Sequence, residues 1–158
     1  MRSLKLLVIP IVLMVWVFSV PGLSYGQETW VTGLARSYTD VISRVQKFCI
    51  ERAKVECELL EIEQNPPLLL EGQVVDYIGV RQRGVLYLYI VVAEKENMDP
   101  DIYLFDSQGR LLGSGRETGP VDVAVHMPEY TQKVNQRIKM FKGSGHIAIA
   151  VLAPVGSN

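Results

Sequence analysis

The stretch Val85–Ala93, "VLYLYIVVA", is apolar on both sides of an extended chain. Leu86, Leu88, Ile90 and Val92 share one side, and Tyr87, Tyr89 and Val91 share the other. Successive side chains of a strand point to opposite faces, so such a segment escapes water only between two further layers. Its nine residues are too few for a membrane-crossing helix, which takes ~20. The chain is thereby committed to a layered fold with this strand at its centre.

The neighbouring sequence supplies strands to surround it. In "DIYLFDSQGRLLGSG", Ile102 and Leu104 alternate with Tyr103 and Phe105. Asp106 and Gly109 then occupy the first and last positions of a type I turn: Asp caps the turn with its side chain, and Gly tolerates the positive φ that follows. Leu111 and Leu112 resume the strand, so turn chemistry and strand period agree on one hairpin register. Further on, "VDVAVHM" alternates Val121, Val123 and Val125 with Asp122, Ala124 and His126. "QRIKMFKGSG" alternates Arg137, Lys139 and Phe141 with Ile138 and Met140. "HIAIAVLAP" alternates Ile147, Ile149 and Val151 with Ala148, Ala150 and Leu152. "LLLEGQVVDYIGV" precedes them, "RQRG" (Arg81 to Gly84) is a polar turn, and "EKENMDP" is a loop. Short strands separated by turns, with no helix between, predict a mainly β chain: an antiparallel β-sandwich over residues 68–154.

Ahead of the sandwich, Val41, Val45, Cys49, Ala53, Cys57 and Leu60 recur every three or four residues. Tyr38, Ile42 and Phe48 widen this stripe, and Trp30 and Leu34 extend it toward the N-terminus. The pattern predicts an amphipathic α-helix within residues 27–65, ended by Asn65-Pro66-Pro67. It also raises a geometric conflict. On one unbroken helix, Cys49 and Cys57 would stand ~12 Å apart along the axis, whereas a disulfide needs its Cα atoms within ~7 Å. The thiols are then free and buried, or bonded to a second chain; otherwise the helix ends near Phe48 and "VECELLEIE" is a strand. The richness in Glu, Leu, Lys and Ala favours the helix.

The first 26 residues have the layout of a secretory signal peptide. Arg2 and Lys5 precede an apolar run from Leu6 to Val20, Pro21 and Gly22 break it, and Ser24 and Gly26 suit a cut before Gln27. The alternative is a retained anchor, for which the run is short and interrupted by Pro10. Export leads to the periplasm or the outside of the cell, where paired cysteines usually bond. The formal net charge of −1 argues against a nucleic-acid binder, which would carry a basic excess.

The segment "GVLYLYIVVAEKENMDPDIYLFDSQGRLLGSG", with "VDVAVHM" and "GSGHIAIAVL", resembles the bacterial pre-peptidase C-terminal domain over roughly residues 70–153. Asp99, Asp101, Ile102, Tyr103, Leu104, Phe105, Asp106, Gly109 and Leu111 match its hairpin motif, and Gly145, Ile147, Ile149 and Val151 match its closing strand. The resemblance implies a secreted, jelly-roll-like β-sandwich. It departs at "VVDYIGV", at His146 and Ile147 where a Tyr is usual, and in the insertion "PEYTQKVNQR". Some members of that family bind calcium through acidic loops, so it implies Asp99, Asp101 and Asp106 as a calcium set. Without an ion, Asp99 and Asp101 simply flank a loop and Asp106 caps its turn.

The two histidines, His126 and His146, each lie on a predicted strand, and no nucleophile, metalloprotease or phosphate-loop motif accompanies them. No enzyme and no cofactor other than calcium is expected. Lys133, Arg137, Lys139 and Lys142 gather near one strand, either as a binding patch for an acidic partner or anionic glycan, or as the guarded edge of a sheet. Tyr77, Tyr87, Tyr89 and Tyr103 are a ligand platform or cross-strand packing. The expected function is binding, by an exported accessory protein whose protein or glycan partner lies in the envelope or outside the cell. A structural subunit dimerising through its helix and cysteines is one alternative. A secreted hydrolase inhibitor presenting "MPEYTQKVN" is another.

The layered reading has a direct test. Far-UV circular dichroism of the chain from Gln27 onward is expected to be dominated by the strand signal, and a mainly helical spectrum would overturn it.

Overall fold

The computed structural model describes residues 38–47, 49–53, 56–62 and 66–156. The expected leader with its cut before Gln27, and the stripe positions Trp30, Leu34 and Phe48, lie outside these residues. Among the described residues, 38–47 form a helix, α1, and Cys49–Ala53 add a π-helical turn. The strands are β1 (Cys57–Ile62), β2 (Leu68–Leu69), β3 (Val74–Arg81), β4 (Tyr87–Ala93), β5 (Asp99–Phe105), β6 (Leu111–Gly115), β7 (Val121–His126), β8 (Gln132–Lys142) and β9 (Gly145–Pro154). They form two antiparallel sheets. One runs β1–β9–β4–β7, with the short β2 also on β9; the other runs β3–β8–β5–β6. The chain is a mainly β protein with the architecture of a sandwich.

β4 is buried along its whole length, as its two apolar faces require. Tyr87, Tyr89 and Val91 turn inward with Ile147, Ile149 and Val151 of β9, and meet Ile102, Leu104, Val134, Ile138 and Met140 of the opposing sheet. Leu88, Ile90 and Val92 turn outward with Ala148, Ala150 and Leu152. That outer face is covered by Tyr38 and Ile42 of α1 and by Cys49 and Cys57, with Val41 and Val45 packed alongside. The described part of the helical stripe therefore packs on the domain's own sheet. The β5–β6 hairpin turns as its sequence specifies. Gly109 N–H donates to the Asp106 carbonyl at 3.0 Å, Gly109 sits at φ 78°, and the Asp106 carboxylate accepts from Gln108 N–H and Arg110 N–H.

Three expectations give way. The helix does not continue to residue 65: the chain is already extended at Cys57, and β1 pairs with β9 from Cys57↔Pro154 to Ile62↔Ala150. Helix propensity is worth only tenths of a kcal/mol per residue. Pairing along β9 satisfies the backbone and lets Cys57 and Leu60 bury on opposite faces, so tertiary packing prevails. The insertion "PEYTQKVNQR" is mostly strand, because β8 begins at Gln132. Arg81 is not a turn residue but the buried end of β3.

Two buried polar groups close the flanks of the sandwich. On one flank Arg81 crosses from β3 to β1, where Glu61 receives its two terminal nitrogens at 2.7 Å each. Its Nε donates to the Tyr89 hydroxyl at 3.0 Å, and its guanidinium lies 5.3 and 5.4 Å from the ring centres of Tyr87 and Tyr89. The guanidinium also passes over Gly79, where a Cβ would collide with it. Burial opposes the charge, but the bonds to Glu61 and Tyr89 outweigh it, so Arg81 holds its proton more tightly than a free arginine. On the other flank the buried Asp122 of β7 accepts N–H bonds from Ile102 at 2.9 Å, Val123 at 3.0 Å and Glu117 at 3.3 Å.

The Arg81 side chain is 5% exposed and that of Glu61 53%. Truncating the exposed partner strands the buried one, so Glu61→Ala is expected to cost about 1–3 kcal/mol in urea unfolding. An ordinary surface substitution costs ~0.5 kcal/mol or less, and a result that small would mean that the flank stays closed without the ion pair.

Candidate binding face

The outer face of β3–β8–β5–β6 has no layer upon it among the described residues. Along β8, Val134, Gln136, Ile138 and Met140 are buried, so Lys133, Asn135, Arg137 and Lys139 point outward. β3 turns Val74, Asp76, Ile78 and Val80 to the same side. Pairing aligns these residues in rows. Val74 stands beside Lys139 and Asp101; Asp76 beside Arg137 and Tyr103; Ile78 beside Asn135 and Phe105; Val80 beside Lys133. Ile78 is 69% exposed, Val80 61% and Phe141 61%, unusual values for large apolar side chains in one region.

Electrostatics order the face from its middle row. Arg137 Nε and Nη2 bond Asp76 at 2.8 and 3.0 Å, and the guanidinium lies 5.4 Å from the Phe105 ring centre. Lys139 Nζ sits 5.7 Å from the Phe141 ring centre. The Arg137 hydrogen bond holds the Asp76 carboxyl below its usual range, and Asp76 in turn raises Arg137. Tyr103 donates its hydroxyl to Asp101 at 2.8 Å. Lys133, Arg137 and Lys139 thus form one file, while Lys142 lies past it at the strand end. β8 is an interior strand between β3 and β5, which corrects the guarded-edge reading of these lysines.

The other candidate residues are dispersed. Asp99 and Asp101 open β5 and Asp106 follows its far end; even Asp101 and Asp106 are five strand residues apart, about 16 Å of rise. A calcium ion holds its oxygens at about 2.3–2.6 Å, so these three carboxylates cannot share one. Each is instead engaged locally: Asp99 by Gly119 N–H at 2.8 Å, Asp101 by Tyr103, and Asp106 by Arg110 Nε at 2.6 Å besides its own turn. Among the described residues no three His, Cys, Asp or Glu side chains come together as a metal site. His126 ends β7 beside Tyr87, and His146 begins β9 beside Leu68, at opposite ends of their sheet. His126 contacts Gln132 Nε2 at 3.2 Å, and burial lowers its pKa. His146 Nδ1 lies 3.3 Å from Glu94. Tyr87 and Tyr89 are core, Tyr77 packs against it, and Tyr103 alone of the four lies on the open face, so they form no platform. The β7–β8 loop is short and tied back: Arg83 N–H bonds Thr131 at 3.2 Å, and Gly84 N–H bonds the Pro128 carbonyl at 2.8 Å.

Sequence reasoning missed the apolar partners of the basic file, Val74, Ile78, Val80 and Phe105. Their signal was the alternation Val74, Asp76, Ile78, Val80 within "VVDYIGV". It also missed Arg81 and Asp122, whose burial no local pattern marks. No family model matches the chain, and no curated protein matches it.

The Asp76–Arg137 pair carries a pH signature. Asp76 has a lowered folded pKa, so its stabilisation is complete above the ordinary carboxylate value of about 3.9 and disappears as pH falls through the folded value. Both partners are over a third exposed, so solvent screening keeps the contribution of the pair modest. Melting temperatures of wild type and Arg137→Gln are expected to differ modestly from pH 5 to 7, and the gap to narrow as pH falls below about 4 and to close below the folded value of Asp76. A gap that persists at about pH 2 would assign Arg137 to packing on Phe105 rather than to charge.

Proposed function

We propose that this protein is an exported, non-catalytic binding module, and that it takes an acidic protein surface on the open face of β3–β8–β5–β6. The observation that carries this reading is the asymmetry of the sandwich. α1 covers one outer face, while the other presents Ile78, Val80 and Phe105 interleaved with Lys133, Arg137 and Lys139. Asp76 is taken up by Arg137, which leaves the file net positive on a chain whose formal net charge is −1. A partner with carboxylates around an apolar centre complements both features. A second copy of the same face would set lysine against lysine, so self-association there is opposed by charge. The exposed aliphatic side chains favour a protein over a glycan, which offers them little apolar area.

Export rests on the leader-like first 26 residues and on the resemblance to the pre-peptidase C-terminal domain, whose members are secreted. It puts the partner in the periplasm, on the cell surface or in the medium. Dimerisation through the cysteines draws little support, because both thiols are buried within the chain's own layers.

The test immobilises the chain from Gln27 onward and offers envelope extract and culture fluid. Three proteins are compared: wild type, Lys133→Glu/Lys139→Glu, and Ile78→Asp, all altered at solvent-facing positions and checked by thermal melting. An acidic partner is expected on wild type at low salt. Retention is expected to fall about tenfold or more with either variant and with added salt. Equal retention by all three proteins would overturn the assignment of this face.

A further inference from the structure

The segment joining α1 to β1 carries both cysteines, and the fold brings them together. Cys49 opens the π-helical turn and Cys57 opens β1. Both are buried thiols in the layer between α1 and the sheet, members of one apolar cluster, and the neighbouring Cys49 contributes to the raised pKa of Cys57. Their carriers are fixed as well. Gln46 Nε2, in the last described turn of α1, donates to the Cys57 carbonyl at 3.2 Å, and Val155 N–H donates to the Glu56 carbonyl at 2.8 Å. The obstacle posed by a continuous helix, ~12 Å of rise between the two residues, is gone once the helix ends and β1 begins.

We propose that Cys49 and Cys57 form an intramolecular disulfide site that clasps the helical layer to edge strand β1. The oxidant is another disulfide, either a small molecule or the active site of a thiol–disulfide oxidoreductase. One cysteine thiolate attacks it, forming a mixed disulfide and releasing one thiol. The second cysteine then attacks the protein sulfur of the mixed disulfide and releases the other. The two protein thiols lose two hydrogens, and the oxidant gains them as two thiols. Burial pushes the Cys57 thiol up to about 12, so the thiolate is scarce in the closed fold. The bond therefore forms while the chain folds or when α1 lifts, and the closed layers then shield it from reductants. A second chain can reach neither sulfur without unpacking the same layer.

The experiment refolds the chain from Gln27 onward with reduced and oxidised glutathione, quenches free thiols by alkylation, and measures intact mass and melting temperature. Reduced wild type and the Cys49→Ser/Cys57→Ser variant serve as references. The expected product is monomeric, unalkylated and lighter by about 2 Da, the mass of two hydrogens. Its melting temperature is expected to exceed that of reduced wild type by roughly 5–10 °C, the shift of a short-loop cross-link in a domain of this size. In folded reduced protein, oxidation is expected to be slow and to accelerate in mild denaturant. Persistent glutathione adducts, disulfide-linked dimers, unreacted thiols, or a linked monomer no more stable than the reduced one would each overturn the proposal. Comparison with reduced wild type keeps the test valid if the serine variant does not fold. Formation in vitro is independent of the cell compartment, so a failure of the export reading would leave this result standing.

Discussion

Everything in this molecule is arranged around the two-sided burial of β4. Removing side chains such as Leu88, Ile90 and Val92 from water contributes about 1.5–3 kcal/mol each, and the same holds for those on the inward side. No single partner layer can collect both contributions. The second sheet takes the inner face and α1 takes the outer one, with β9 sharing the arrangement through Ile147, Ile149 and Val151 on one side and Ala148, Ala150 and Leu152 on the other. The short alanine side chains of β9 leave room for the helix to sit down on the sheet.

That demand also explains why the sandwich is unequal. Among the described residues, one sheet uses both faces for packing and the other only one, so a single broad face is left to water. On it, cations stand over aromatic rings and beside aliphatic side chains, which keeps an apolar area soluble while leaving it available. Function in a sandwich resides in such surface patches rather than in the fold. Here the patch sits on interior strands of a rigid sheet, so its rows are held in fixed register.

The flanks answer a different physical need. Between β1 and β3, and between β7 and the β5–β6 hairpin, the layers meet at their margins, where a purely apolar seam would leave backbone groups unpaired. Arg81 and Asp122 enter these seams and make several hydrogen bonds there. Hydrogen bonds offset much of the cost of burying such groups, although burial still raises the Asp122 carboxyl, and the same groups left partnerless would be strongly destabilising. Both seams depend on side chains from strands far apart in sequence.

The strands β4 to β9, the Asp106–Gly109 turn and the inward residues of β8 and β9 were legible in the sequence, because alternation and turn chemistry are local properties that a strand carries wherever it is placed. So was the basic file as a group of residues, though not its apolar neighbours. What only the tertiary structure decided is who stands next to whom. β1 became a strand because β9 had an edge to fill, although its own residues favour a helix. The lysines lie on an interior strand rather than a guarded edge because β3 pairs outside β8. Three aspartates close in sequence were drawn apart by the rise of one strand, and two cysteines that helical spacing kept apart were gathered into one buried cluster. Each outcome depends on non-local competition for pairing and burial, and the residues that win that competition carry no mark of it in their own neighbourhood.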